Sequence, residues 1–370
     1  LVEPFSSACR SRGQTVRTSC ELGEEMDVMA RLSARGVWVM VALFFAGIAM
    51  PRGRAGTAGW RPVRLYQVDY VSANEMAAHY GLKMTWLEKK KRLRLENGSA
   101  KIELEVNDRE ISWNGLRIFL SETIAPYQDT LCLSLDDVRS TVEPLMRPLS
   151  PGHRSRPHLI AIDAGHGGND SGTRNQRLNL KEKTFTLDVA RRLKIALEKL
   201  GYRTLLTRKS DRYVSLKKRP AIANRARADL FISIHFNSLG NNGVVRGIET
   251  YSFTPAGQRS TVAVSHRAAD EKAQPGNRTD HWNILLGAAI QRRLVDDLDA
   301  VDRGVKRARF VVLRTTQCPA VLVEGGFLSN SAEARKLATP AYREQIARAI
   351  AGGVRHYVAM METPGMKAVE

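Results

Sequence analysis

The sequence is poor in cysteine, in aromatic residues and in long apolar runs, and these shortages exclude several classes of protein. Four cysteines occur among 370 residues, without a CxxC motif, and Cys132 and Cys318 fall in different predicted units. This spacing gives no indication of a disulfide framework. The apolar run Val37–Met50 is shorter than the roughly 20 residues that a membrane-spanning helix requires.

The charge balance is strongly basic, with a formal net charge of +19 at pH 7. Such an excess suits an anionic partner such as a nucleic acid, a membrane surface or an acidic polymer. However, the chain lacks zinc-finger spacing, an RNA-binding aromatic motif and a basic recognition helix. We therefore predict no nucleic-acid partner, and we interpret much of the scattered arginine as solvated surface.

The amino-terminal 58 residues carry the pattern of a secretory signal. Arg31 and Arg35 precede the uncharged run Val37–Met50, and small residues follow at 55–58. This order of charged, apolar and small residues predicts a signal peptide at about 29–58 and a secreted, periplasmic or cell-envelope location. An uncleaved anchor is the alternative. A start at Met26 or Met29 would give the signal a normal length.

Residues 62–148 predict a small α+β accessory domain. Ser72 and Glu75 form a capping-box pattern for a short helix that ends near Gly81. Short alternating segments follow, separated by Asn-Gly and Asn-Asp pairs that favour hairpins. The strand–turn rhythm and the WNG turn resemble the stalk domain of copper amine oxidases, which implies a binding or spacing module without copper chemistry. Residues 149–158, rich in proline, arginine and serine, predict a linker.

From 159 to 360 the pattern alternates between strands and helices. This alternation predicts an α/β fold with a mostly parallel twisted sheet and helices on both faces. The predicted strands are His158–Asp163, Arg203–Thr207, Leu230–His235, Ile248–Phe253, Phe310–Leu313 and Ala320–Val323, and the predicted helices are Leu180–Leu200, Ser215–Ala228 and Tyr342–Met360.

Four chemically capable residues lie at or just beyond short apolar runs of this region. They are His166 in IAIDAGHGG, Glu182 in NLKEKTF, His235 in LFISIHFNS and Glu324 in AVLVEGGF. Glu182 opens the helix that follows the first strand, so we expect its carboxylate to point back toward the end of that strand. Two imidazoles and one carboxylate are a recurring ligand set for a catalytic zinc that keeps one position open for water. A further carboxylate at a neighbouring strand end suits proton transfer.

The motifs that contain these residues resemble the zinc-dependent N-acetylmuramoyl-L-alanine amidases. The resemblance covers about 159–358 and extends through TLLTRKSDRYVSLKKRPAIANRARADLFISIHFNS, RGIETY and DRGVKRARFVVLR. It implies that His166, Glu182 and His235 hold one Zn²⁺ and that Glu324 is the catalytic acid and base. The family's usual wall-binding repeats are absent from the sequence.

The resemblance implies a peptidoglycan hydrolase that cleaves the amide between N-acetylmuramic acid and L-alanine. Its partners would be peptidoglycan and a wall- or envelope-associated activator. Asn237 and Arg314 are candidate substrate contacts, and strand-end hydrogen bonding is the alternative for Asn237. Asp163 is a candidate carboxylate partner for a ligand histidine, and a role in the turn is the alternative. The alternatives are a zinc peptidase that acts within the stem peptide and a non-catalytic wall-binding protein.

The segment from about 254 to 283 predicts a mobile lid over the catalytic groove. It follows the strand GIETYSF, which we expect to lead out near the metal site. Pro255, Gly257, Pro275 and Gly276 make a continuous regular element unlikely to form. Its basic residues would suit the carboxylates of stem peptides.

Overall fold

A computed structural model describes residues 59–148, 156–239, 243–263 and 270–362. The predicted signal at 29–58 and most of the predicted linker at 149–158 lie outside these residues. Within them, no helix has the length and apolar character needed to cross a membrane.

The accessory unit at 62–148 combines a helix, hairpins and a short helical end. Its strands are β1 (Val63–Leu65), β2 (Val68–Ser72), β3 (Lys83–Glu88), β4 (Arg92–Glu96), β5 (Lys101–Glu105), β6 (Glu110–Trp113), β7 (Leu116–Phe119), β8 (Ala125–Tyr127) and β9 (Thr130–Ser134), and its helices are α1 (Ala73–Tyr80), α2 (Leu135–Asp137) and α3 (Glu143–Met146), with a π-helical turn at Val138–Val142. The predicted cap is confirmed, because Ser72 Oγ accepts from the Glu75 amide and Gly81 ends α1 with a φ of 62°.

The larger unit contains the predicted alternation of strands and helices. Its strands are β10 (Leu159–Ala164), β11 (Arg174–Asn175), β12 (Leu180–Lys181), β13 (Arg203–Leu206), β14 (Leu230–Asn237), β15 (Ile248–Phe253), β16 (Asp302–Ala308) and β17 (Ala320–Phe327), and its helices are α4 (Glu182–Lys199), α5 (Lys218–Arg225), α6 (Asp280–Leu298), α7 (Val311–Arg314), α8 (Ser331–Ala338) and α9 (Pro340–Glu362), with a 3₁₀ turn at Pro275–Thr279. One prediction was wrong, because Phe310–Leu313 leads into α7 and the strand lies earlier, at β16.

The predicted α/β fold is confirmed, with apolar cores on both faces of a mostly parallel sheet. In the larger unit, β13, β10, β14 and β17 are neighbours and parallel, and β16 is parallel to β15. Helices α4, α6 and α9 contribute to the core on one face, and α5 and α7 to the core on the other. The alternation along β14 shows this division, since Phe231 joins one core and Ile232 the other.

The carboxyl ends of β10, β14 and β17 therefore lie at the same edge of the sheet, which we call the metal edge. Strand β15 runs antiparallel to β17, with Glu249 beside Glu324 and Ser252 beside Val321. Its first residues are consequently at the metal edge and its last residue, Phe253, is at the opposite edge. The same direction applies to β16.

This direction makes the lid prediction for 254–283 wrong. The described part of that segment leaves from Phe253, at the edge opposite the metal edge. There the Arg309 guanidinium donates to the Pro255 carbonyl at 3.0 Å and the Gln258 amide donates to the Asp136 carbonyl at 3.0 Å. The described part of the segment, 254–263 and 270–283, therefore contacts the accessory unit and lies away from the metal edge.

The accessory unit extends the sheet of the larger unit. Strand β7 pairs in parallel with β16 through Ile118 and Val305, so that β7, β6, β5, β4 and β3 continue a sheet that has 11 strands within the described residues. The sequence indicated two units joined by a linker and gave no sign of this pairing. The predicted division into domains at 62–148 and 159–360 remains a proposal, namely that each unit folds on its own.

A buried arginine holds the two units together at the opposite edge. Arg307 of β16 is 2% exposed and donates to Ser140 Oγ, to the Ser140 carbonyl and to Thr141 Oγ1 of the accessory unit at 2.7–2.9 Å. It also donates to Gln258 Oε1 at 2.6 Å. Because these acceptors are shielded from water, their loss of a donor is costly.

We expect Arg307→Ala to lower the free energy of unfolding by roughly 2–4 kcal/mol, since it leaves several buried acceptors without a donor. Chemical denaturation of the full chain measures this loss. Arg348→Ala is the control, because Arg348 is an exposed arginine that pairs with Glu344 one turn away in α9, and we expect about 0.5 kcal/mol or less there. Equal losses in both variants would contradict the role of Arg307.

Candidate metal centre and its proton acceptor

His166 lies in the turn that follows β10 and has a left-handed backbone, with a φ of 61°. Its Nδ1 atom is 2.9 Å from Asp170 Oδ2, and its Nε2 atom is 3.1 Å from Glu182 Oε1. The contact with Asp170 fixes the ring orientation, so Nε2 points toward the other candidate ligands. Sequence reasoning missed Asp170, although a carboxylate four residues after a histidine was a signal for it.

Glu182 is the first residue of α4, as the sequence predicted, and its side chain points back toward the metal edge. The side chain is 4% exposed. Its Oε2 atom accepts from the Thr173 amide at 2.8 Å, and its Oε1 atom accepts from the Phe236 amide at 3.0 Å. These donors, together with the positive end of the helix dipole, stabilise the ionised carboxylate.

His235 lies in β14, which continues to Asn237, two residues beyond the predicted end. Its Nδ1 atom is 3.0 Å from Glu182 Oε1. One donor atom from each of His166, Glu182 and His235 lies within 4.8 Å of the other two. The structure therefore brings together the three residues that were predicted as ligands from separate parts of the sequence.

The charges of this cluster fit a divalent cation. Burial opposes protonation of His166, but the Glu182 and Asp170 carboxylates outweigh it and raise its pKa to about 10. Burial likewise opposes ionisation of Glu182, and the two imidazoles outweigh it and lower its pKa. The residues therefore favour positive charge between them, and two imidazoles with one carboxylate are a donor set suited to Zn²⁺.

Two glycines make room for these side chains. A Cβ atom on Gly165 would lie 2.4 Å from His235 Cε1, and a Cβ atom on Gly172 would lie 2.5 Å from Glu182 Oε2 and 2.6 Å from His166 Cδ2. These separations are shorter than any normal contact. The glycines of the GHGG and DSG motifs are therefore required for the close packing of the three candidate ligands.

Glu324 lies in β17 between the cluster and a second buried carboxylate. It is the parallel partner of His235 on one side and the antiparallel partner of Glu249 on the other. Among the described residues, its buried Oε2 atom has no hydrogen-bond partner. Burial, followed by the negative charges of Glu182 and Glu249, raises the pKa of Glu324 well above its ordinary value. This carboxyl group is therefore suited to hold a proton.

Buried ionic contacts support the turn that carries His166. Asp163 is fully buried and binds Arg219, Thr207 and Ser233 at 2.6–2.9 Å. Arg219 also donates to the carbonyl of His166 at 2.9 Å. Of the two roles predicted for Asp163, the structure shows the one in the turn, because Asp170 makes the contact with the His166 ring.

The structure separates the two candidate substrate residues. Asn237 is buried near the metal edge, where its side chain donates to Glu249 Oε2 at 3.3 Å and accepts from the Ser238 amide at 2.7 Å. Arg314 ends α7, which follows the carboxyl end of β16 and precedes the start of β17. It therefore lies at the opposite edge, near the start of β17 at Ala320, which is about 13 Å from Glu324 along the strand at roughly 3.3 Å per residue. The structure thus separates Arg314 from the metal edge, and its contact with substrate stays a prediction.

Comparison with known proteins places this site in a family context. The family model described as N-acetylmuramoyl-L-alanine amidase matches residues 160–356, which is more than half of the chain. The sporulation-specific N-acetylmuramoyl-L-alanine amidase of Bacillus subtilis is 35% identical over 206 residues, which are 55% of this chain and 69% of that protein.

Two further relatives match this chain over different shares of their own length. The amidase AmiC of Escherichia coli is 32% identical over 260 residues, and the match spans 63% of this chain and 62% of AmiC. A solved N-acetylmuramoyl-L-alanine amidase from Clostridium difficile is 33% identical, with 55% of this chain and 98% of that chain covered and a TM-score of 0.47.

We expect Gly172→Ala to weaken zinc binding by roughly tenfold to 100-fold, because the added methyl group displaces Glu182 and His166. Zinc content after dialysis against graded competitor, measured by elemental analysis, tests this. Gly81→Ala is the matched control, because its φ of 62° equals that of Gly172 within a degree and its Cβ would meet nothing within 4 Å. The idea fails if both variants retain wild-type zinc affinity.

Proposed function

The chain belongs to the N-acetylmuramoyl-L-alanine amidase family, and we propose that it is a zinc hydrolase that cleaves the amide between N-acetylmuramic acid and L-alanine in peptidoglycan. The observation that carries this proposal is the convergence of His166, Glu182 and His235 beside Glu324 at one edge of the sheet. This arrangement combines a metal-ligand set with a separate carboxyl group for proton transfer.

In this proposal, His166, Glu182 and His235 hold one Zn²⁺. A bound zinc ion supplies Lewis acidity, which polarises an amide carbonyl and lowers the pKa of water toward about 7. Asp170 holds the His166 ring through Nδ1, and the amides of Thr173 and Phe236 hold the Glu182 carboxylate. These contacts keep the donors in place before substrate arrives, which reduces reorganisation during the reaction.

Glu324 performs the proton transfers. Its Oε2 atom has no competing donor among the described residues, so it can accept a proton from the attacking water and then deliver it to the leaving L-alanine nitrogen. The first step requires the ionised carboxylate, and burial raises the affinity of that carboxylate for the proton it accepts. Asn237, held between Ser238 and Glu249, is proposed to stabilise the strand end, with direct substrate contact as the earlier alternative.

The cellular setting follows from the same proposal. The substrate lies outside the cytoplasm, which agrees with the secretory signal predicted at 29–58. Peptidoglycan is the proposed partner, and a wall- or envelope-associated activator remains a prediction. The accessory unit at 62–148, which resembles the stalk domain of copper amine oxidases, is proposed to be a binding or spacing module.

Product analysis distinguishes the proposed activity from its alternatives. Purified full chain is incubated with purified sacculi, with and without a chelator, and the released material is analysed by mass spectrometry. The amidase predicts stem peptides that begin with L-alanine, released only without chelator. Fragments cut inside the stem indicate a peptidase, and binding without release indicates a wall-binding protein.

We expect Glu324→Gln to reduce turnover at least 1,000-fold, because the amide cannot accept the proton, while zinc stays bound near one equivalent. The assay is release of stem peptides alongside zinc content. Glu333→Gln is a comparison carboxylate, because Glu333 lies at the start of α8 and accepts from backbone amides of Phe327 and Gly247. Turnover near wild type in Glu324→Gln would exclude the proposed role.

We also expect His166→Ala and His235→Ala to lose zinc, because two remaining protein ligands hold the ion poorly. Elemental analysis after gel filtration measures the loss. His79→Ala serves as the control, because His79 contacts Trp60 and Tyr80 in the accessory unit. Stoichiometric zinc in either ligand variant would count against the assignment.

A further inference from the structure

A second buried charge cluster adjoins Glu324. Glu249 is fully buried, and its Oε1 atom is 2.5 Å from Arg303 Nε and 2.9 Å from Lys306 Nζ. Its Oε2 atom accepts from the Tyr251 hydroxyl at 2.6 Å and from Asn237. Since Glu249 and Glu324 are direct cross-strand partners, the placement of one carboxylate constrains the other.

Lys306 connects this cluster to the accessory unit. Lys306 is 5% exposed, and its Nζ atom lies 5.2 Å from the ring centroid of Phe119 in β7. The face of an aromatic ring attracts a cation, and the attraction grows when water is excluded. Phe119 therefore covers an ammonium group whose other partners are Glu249 and, at 5.9 Å from its centroid, the Tyr251 ring.

The approach of Phe119 to β16 depends on a glycine. The pairing of β15 with β16 shifts register between Asp302 and Val305, where Gly304 has a φ of 90°. A Cβ atom on Gly304 would lie 2.8 Å from the Phe119 ring and 3.0 Å from the Arg117 carbonyl. This irregularity beside the candidate site lets β7 pack close to β16, and such bulges commonly redirect side chains near active sites.

Burial of the Lys306–Glu249 pair has a defined physical effect. An ion pair that is shielded from water is strong only while its geometry is held, because both groups have lost their hydration. Without Phe119, water would reach Lys306 and the ammonium group could turn toward solvent. Glu249 would then keep Arg303 as its remaining cation and shift relative to Glu324.

We propose that Phe119 of the accessory unit is a positioning residue for the catalytic carboxyl group: it seals Lys306 against Glu249 and thereby fixes Glu324. This inference rests on the proposed amidase function. It gives residues 62–148 a part in turnover beyond binding or spacing. Phe119 acts through Lys306 and Glu249 and does not itself touch substrate.

The first test compares Phe119→Ala with Gln258→Ala in the full chain on sacculi or a soluble muropeptide. Gln258 is a matched control, because it also lies between the two units but contacts Asp136, Ser140 and Arg307 at the opposite edge. For Phe119→Ala we expect kcat to fall about tenfold, with KM within about twofold and zinc content unchanged. Gln258→Ala is expected to retain kcat and to lose only thermal stability.

A double-mutant cycle separates positioning from general destabilisation. Lys306→Met keeps the aliphatic stem and removes the cation, and we expect a similar fall in kcat with zinc retained. Because Phe119 acts through Lys306, adding Phe119→Ala to Lys306→Met should lower kcat no further. If Phe119→Ala does not fold, the kcat of Lys306→Met decides alone, and a wild-type value overturns the proposal.

Other outcomes are equally decisive. Wild-type kcat in Phe119→Ala, or a double variant whose loss equals the product of the two single losses, overturns the inference. An equal fall in Gln258→Ala also overturns it, because docking in general would then be responsible. If the wild-type chain with bound zinc releases no stem peptide, the proposed function fails, whereas an active wild type with unaffected variants removes this inference alone.

Discussion

Burial of three carboxylates side by side at one end of a sheet is the constraint around which this protein is built. Glu182, Glu324 and Glu249 follow one another across the metal edge. Glu182 and Glu249 are buried, and the Oε2 atom of the partly buried Glu324 is shielded from water. Two imidazoles and backbone amides compensate Glu182, and Lys306 and Arg303 compensate Glu249. Among the residues that the structure describes, Glu324 between them forms no ion pair. Its position raises its affinity for a proton, because its neighbours already bear the negative charge.

Buried arginine side chains thus stabilise the backbone close to the candidate site. Arg208 and Arg219, both buried, donate to backbone carbonyls of the turn after β10, including those of Ala164 and Gly165. They keep His166 in a left-handed conformation that a non-glycine residue adopts only when its surroundings impose it. Replacing such buried ionic contacts with apolar side chains could leave the fold stable. It would remove the donors that hold the turn, so the contacts are better explained by the site than by the core.

The sequence predicted those features that follow from apolar periodicity and short motifs. Strands β10, β14 and β15, the start of α4 at Glu182 and the meeting of His166 with His235 all follow from such signals. Strand β16 was missed because DRGVKRA is mostly charged, and its Lys306 and Arg307 are buried only through partners far away in the chain. The direction of β15 was missed as well, because periodicity does not encode strand orientation. Both the lid prediction and the predicted substrate contact of Arg314 depended on the direction of β15, which the sequence did not reveal.

The pairing of β7 with β16 was equally invisible in the sequence, since it rests on a single register pair and on Gly304, which looks like any loop glycine. The pairing protects the outer strand of the larger unit, β16. Without β7, β16 would be an edge strand with unpaired backbone groups and with Lys306 open to water on its ring-covered side. Because β15 turns back on β17, this vulnerable strand begins at the metal edge, next to Glu249. Charged side chains alone can protect an exposed edge strand. In β16, however, Arg303 and Lys306 already pair with Glu249. Strand β7, with the aromatic side chain of Phe119, therefore protects β16 instead.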